Sequence, residues 1–102
     1  MKTAEIYTKS IQQLGEATEA YLEAEAKYEK AKGDIILEDA EYQVLKNEGQ
    51  RKAYITEKLK EEQELVDATA KEKRHQTVIN AMAEVAWKSE KYDIMLKVGK
   101  LD

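Results

Sequence analysis

Between Tyr7 and Leu45 the chain reads, in steps of seven, YTKSIQQ, LGEATEA, YLEAEAK, YEKAKGD, IILEDAE and YQVL. A large side chain opens every step: Tyr7, Leu14, Tyr21, Tyr28, Ile35 and Tyr42. Three places further on stand Ser10, Ala17, Ala24, Ala31, Glu38 and Leu45. A sevenfold return of apolar side chains marks a helix lying along another helix. The small residues at the second position let the neighbouring backbone come close. Ile11, Ala20, Leu22, Ile36, Leu37 and Val44 widen the apolar face beyond one seam, as a bundle helix requires.

Outward from this stretch, Asn47-Glu48-Gly49-Gln50 reads as the turn. Gly49 can supply a positive φ after the first helix, or Asn47 with Gln50 three residues on can cap the second. The expected elements are a helix over about 3–47, a turn at 47–50 and a helix over about 51–98, in one domain covering 1–102. Gly33-Asp34 offers another break, giving helices over 3–32, 35–47 and 51–98. The register runs on from Tyr28 through Ile35 to Tyr42, so a continuous first helix is the expectation. Gly99 is expected to end the second helix and leave Lys100, Leu101 and Asp102 as a frayed tail.

The second arm opens with Ala53, Tyr54, Ile55 and Leu59, turns polar over 60–76, and becomes apolar again at Val78, Ile79, Met82, Val85, Trp87, Tyr92, Ile94, Met95, Leu96 and Val98. Glu23–Lys27, Asp67–Lys71, Glu84–Lys88 and Asp93–Lys97 have the helix-supporting i,i+4 order. Folding about residue 49 sets position i near 98 − i. Tyr28 then meets Ala70, Tyr21 meets Thr77 and Val78, Leu14 meets Val85, and Tyr7 meets Tyr92. The architecture expected is all-α, an antiparallel hairpin of two long helices. The apolar residues left over at 78–98 imply a dimer closing a four-helix bundle. Tyr7, Leu14, Tyr21, Tyr28, Val85, Trp87, Tyr92 and Leu96 are the residues expected to build the seam and the interface with a second copy or a partner.

Composition agrees. The 102 residues include no proline and no cysteine, and 37% are charged, with both signs interspersed. Strong helix formers dominate. Without cysteine there is no disulfide, thiolate metal site or Cys nucleophile. No apolar run reaches the ~18 residues of a membrane span. No apolar stretch follows Met1-Lys2-Thr3-Ala4-Glu5, so a secretory leader is not expected and a cytoplasmic protein is. Residues 1–50 carry six Lys/Arg against eleven Asp/Glu, and residues 51–102 carry eleven against ten. That makes an acidic arm facing a mildly basic one.

Catalytic chemistry finds few residues. His75 lies in Lys71-Glu72-Lys73-Arg74-His75 with no Ser or Cys motif to serve as nucleophile. Glu72 and His75 form a single Glu-x-x-His match, against the doubled motif of a di-metal bundle. There is no phosphate-binding glycine loop. No enzyme activity, metal or cofactor is expected. Arg51 and Lys52, with Lys71, Lys73 and Arg74, are the basic clusters that could contact nucleic acid. They lack the interleaved aromatics that stack single-stranded bases.

Hairpins that carry Trp-x-Gly in the turn are a poor parallel, because Trp87 lies well inside the second arm. The stretch Leu45-Lys46-Asn47-Glu48-Gly49-Gln50-Arg51-Lys52-Ala53-Tyr54-Ile55, with the later Tyr92-Asp93-Ile94-Met95-Leu96-Lys97, resembles small helical proteins from early, replication-recombination regions of bacteriophages and prophages of Gram-positive bacteria. The resemblance implies a small viral protein in the host cytoplasm. It implies binding to something of the host or of the phage, and no particular activity. Together with the apolar stripes, the leading expectation is a non-enzymatic, homo-oligomeric hairpin binding a host or phage protein as an inhibitor or accessory factor. A nucleic-acid or nucleotide-binding accessory of phage replication, recombination or anti-defence is the alternative.

Overall fold

The computed structural model describes residues 2–101, with side chains described as far as 99. Its elements are α1 (Lys2–Glu38), α2 (Ala40–Gln43), α3 (Glu48–Lys58) and α4 (Lys60–Leu101), with no strand among the described residues. The two long helices α1 and α4 pack together. The chain divides into two compact units, one of residues 1–18 with 72–102 and the other of residues 19–71.

The sevenfold stripe is the inner side of α1. Ser10, Ala17 and Ala24 are buried, and Tyr7, Leu14, Tyr21, Tyr28, Ala31 and Ile35 are half-buried. Ile11 and Leu22, off the stripe, are exposed. Gly33 lies inside α1, so Gly33-Asp34 does not break it.

In the first unit α1 runs antiparallel to α4. Tyr7 stacks on Trp87 with ring centroids 5.2 Å apart. The Thr3 hydroxyl donates to the Glu90 carboxylate. Buried Ser10 accepts from the Asn80 amide at 3.0 Å and donates to the Tyr7 carbonyl at 2.7 Å. These partners come four to eight positions earlier along α4 than 98 − i. Tyr7 therefore meets Trp87 and not Tyr92, and Leu14 does not bury Val85, which is 65% exposed.

The end of α1 also comes earlier than expected. The helix stops at Glu38, not at 47. Asp39 takes an extended conformation, and its carboxylate accepts from the Glu41 and Tyr42 amides at 2.9 and 3.2 Å. An aspartate that caps the next turn competes with the helix it would otherwise continue. In the second unit Tyr54 of α3 donates to the other Asp39 oxygen at 2.7 Å, and its ring lies 6.1 Å from that of Tyr42. Side chains cover carbonyls left open near the end of α1 and in the following loop: Gln43 donates to Leu37 and Arg51 to Leu45.

Asn47 caps α3 by accepting from the Gly49 amide at 2.7 Å. Gly49 consequently sits in the first turn of α3 without positive φ, and this helix opens at Glu48, not 51. The second arm is also divided. Leu59, with φ −107° and ψ 24°, separates α3 from α4. The hydrogen-bond ladder survives the bend, from Leu59 to Ile55 and from Gln63 to Leu59. Ile55 and Leu59 are buried there. At the far end α4 continues through Gly99 to Leu101, because glycine costs a helix only about 1 kcal/mol. The expected frayed tail is therefore helical at Lys100 and Leu101, and its last residue, Asp102, lies outside the described residues.

Candidate interaction face on helix α4

Helix α4 carries two stripes, and the inner one is polar. Its less exposed positions include Glu62, Val66, Thr69, Lys73, Gln76, Asn80, Ala83, Trp87 and Glu90, spaced alternately by four and three. That spacing is the heptad seam facing another helix. Ala83 is buried, while the Gln76 carbonyl oxygen is shielded from solvent without a hydrogen-bond partner. A buried acceptor left unpaired costs about 1–3 kcal/mol. Gln76→Leu should therefore raise the stability of the first unit, by about 1–2 kcal/mol in urea denaturation. A less stable variant would overturn the assignment of this stripe as the inner face.

The outer stripe is apolar. Val78, Met82, Val85, Tyr92 and Leu96 are 58%, 67%, 65%, 62% and 47% exposed. With Ser89 they again alternate by four and three, on the side of the helix opposite Asn80, Ala83 and Trp87. Ala81, Met82, Val85 and Ala86 line an apolar groove on this side. Scattered apolar residues on a surface mean little, but a contiguous row on one helix face marks a contact.

The residues expected at an interface thus separate into two groups. Tyr7, Leu14, Tyr21, Tyr28 and Trp87 are half-buried along the inner stripes of α1 and α4. Val85, Tyr92 and Leu96 lie outside, on the second stripe of α4. Sequence reading took the two groups as one because period alone locates an apolar row without saying which helix covers it. Met82 belongs to the outer row too; its spacing four beyond Val78 and three before Val85 was the signal available for it.

Lys88 flanks the outer stripe. Its ammonium is 2.8 Å from Glu84, whose hydrogen bond and charge raise the lysine pKa. On the other flank Asp93 is exposed. The basic residues are placed differently. Arg51 lies 5.9 Å over the Tyr42 ring while bonding the Leu45 carbonyl. Lys52, Lys71 and Arg74 are exposed, and Lys73 is half-buried on the inner stripe. His75 is exposed on α4, and the Glu72 carboxylate accepts from Gln76 at 2.8 Å. Among the described residues no group of three or more His, Cys, Asp or Glu is placed to hold a metal ion, and no helix is long and apolar enough to cross a membrane.

Fold and face together define a class: an all-helical protein whose long helices meet through a partly polar seam and whose α4 carries a second, outward apolar row. No protein-family model, curated protein or solved structure matches the chain.

Proposed function

We propose that this is a non-enzymatic interaction protein that self-associates through the outer stripe of α4 and, as a homo-oligomer, binds a protein partner. The observation that carries the reading is the exposed row Val78, Met82, Val85, Tyr92 and Leu96. Covering such a row with a second copy removes apolar surface from water, at about 25 cal/mol per Å² before the costs of association. A symmetric dimer is the simplest closed arrangement. The resemblance to small phage and prophage proteins supports a host or phage protein as the further partner, engaged as an inhibitor or accessory factor in the host cytoplasm.

The test is sedimentation equilibrium of the full chain beside the variant Met82→Glu with Val85→Glu. Both side chains are largely exposed, so the folded chain should tolerate them. The wild type should sediment as a dimer or larger species, and the variant as a monomer with unchanged helical circular dichroism. A wild type that stays monomeric at about 100 µM, a Kd above that concentration and an association free energy weaker than roughly −5.5 kcal/mol, would remove the reading.

A further inference from the structure

We infer that the occupant of the outer stripe is a second copy of α4 lying parallel and in register; this rests on the self-association proposed above. On this stripe Met82, Ser89 and Leu96 hold one core position of the outer heptad, and Val78, Val85 and Tyr92 hold the other. The two flanks differ in charge. One carries Arg74, Ala81, Lys88 and Met95, and the other Glu72, Ile79, Ala86 and Asp93.

Flank charges set the orientation of paired helices. An antiparallel pair apposes each flank to its own kind, basic or neutral with basic or neutral, acidic or neutral with acidic or neutral. No such pairing yields an attraction. A parallel pair apposes opposite flanks with an offset of five residues, which brings Lys88 to the partner's Asp93, twice by symmetry. Lys88 already bonds Glu84 of its own helix at 2.8 Å, and an ammonium has donors for both carboxylates. Small Ser89 falls between Met82 and Leu96 at the centre of the row, where it faces the partner's Ser89.

The geometry has a consequence for the assembly. Tyr7 packs on Trp87, opposite the outer stripe, so α1 lies behind α4 as seen from the partner. The pair then sets four helices side by side in the order α1, α4, α4 and α1, with no closed four-helix core.

The chain has no cysteine, so one introduced thiol reports on one position. Met82→Cys and Ser89→Cys, made separately in the full chain, are oxidised and run on non-reducing gels, with sedimentation equilibrium alongside. A disulfide needs Cα atoms about 4.4–6.8 Å apart. A parallel in-register pair meets that at both positions, and an antiparallel pair can be centred on only one of them. Efficient cross-linking of both variants is the expected result. Lys88→Glu should weaken association about five- to tenfold, and adding Asp93→Lys should restore it. A dimer that cross-links at one position or neither would overturn the parallel pairing while leaving self-association standing. A monomer would remove both.

Discussion

Leu59→Ala should lower stability by about 2–5 kcal/mol and strip protection from α3 and the start of α4. The expectation comes from how little apolar material is buried. Among the described residues the buried apolar side chains are Ala17, Ala24, Ile55, Leu59 and Ala83. Only Ile55 and Leu59 are larger than alanine. Leu59 is 3% exposed at the bend between two helices, so truncating it removes buried apolar surface and leaves a cavity there. Against a typical total of about 5–15 kcal/mol, the loss is a large share. Urea denaturation followed by circular dichroism gives the magnitude, and amide exchange gives the place. Protection should fall first over residues 48–66. A cost under about 0.5 kcal/mol, the size expected of a surface substitution, would mean that Leu59 is not a core residue.

The corner held by Asp39 should open at both ends of the pH scale, and Asp39→Ala should open it at all pH values. Its carboxylate accepts from two amides of α2 and from the Tyr54 hydroxyl. The Tyr54 hydrogen bond, more than any other partner, holds the Asp39 pKa below the ordinary 3.8. A carboxyl with a depressed folded pKa contributes stability that is present above the unfolded value and lost as pH falls through the folded one. The Tyr54 hydroxyl is shifted the other way, from 10.0 up to about 12, chiefly by donating to Asp39. Its neutral form is the one the folded state favours. That contribution is complete below pH 10 and disappears as pH rises through about 12. Stability should be level between these limbs as far as this pair is concerned. Tyr54→Phe should abolish the alkaline limb and relax Asp39 toward its ordinary pKa. A tyrosinate absorbance step near pH 12 in the wild type, absent from Tyr54→Phe, identifies the group. Alkaline limbs that coincide in the two proteins would show that the hydroxyl does not act through Asp39.

The proposed association face and the buried core lie on different residues, which separates the effects of the variants. Glutamates at Met82 and Val85 meet water in the folded chain and meet apolar surface only in an oligomer. Leu59 and Asp39 act within the second unit. Loss of association without loss of helix, and loss of helix without a specific loss of association, are therefore separable results.

Much of α1 could be read from its residues alone. A large residue every seventh place from Tyr7 to Ile35 is a local, repeated signal, and each step strengthens the same helix face; the further step to Tyr42 misled, because that residue lies in α2 beyond the break at Asp39. At the turn the residues left two readings, a positive φ at Gly49 or a cap by Asn47, and the cap is the one found, since a short amide side chain needs only the backbone two residues ahead. Glycine was misleading in both directions at the helix ends. Gly49 sits inside α3 and Gly99 inside α4, because a helix carries a glycine at modest cost when its neighbours are strong formers.

By itself, then, the order of residues determined that the chain is helical, that α1 has one inner face, and that α4 carries an apolar row between 78 and 96. Tertiary structure decided which side of α4 turns inward and helped to decide where α1 stops. Asp39 ends α1 by capping α2, and a tyrosine fifteen residues away adds a hydrogen bond that no local pattern announces. Within the first unit the inner side of α4 takes Asn80 because α1 offers it the Ser10 hydroxyl. Periodicity says that a face exists; which face is covered depends on what the opposing helix can hydrogen-bond and how closely it can approach.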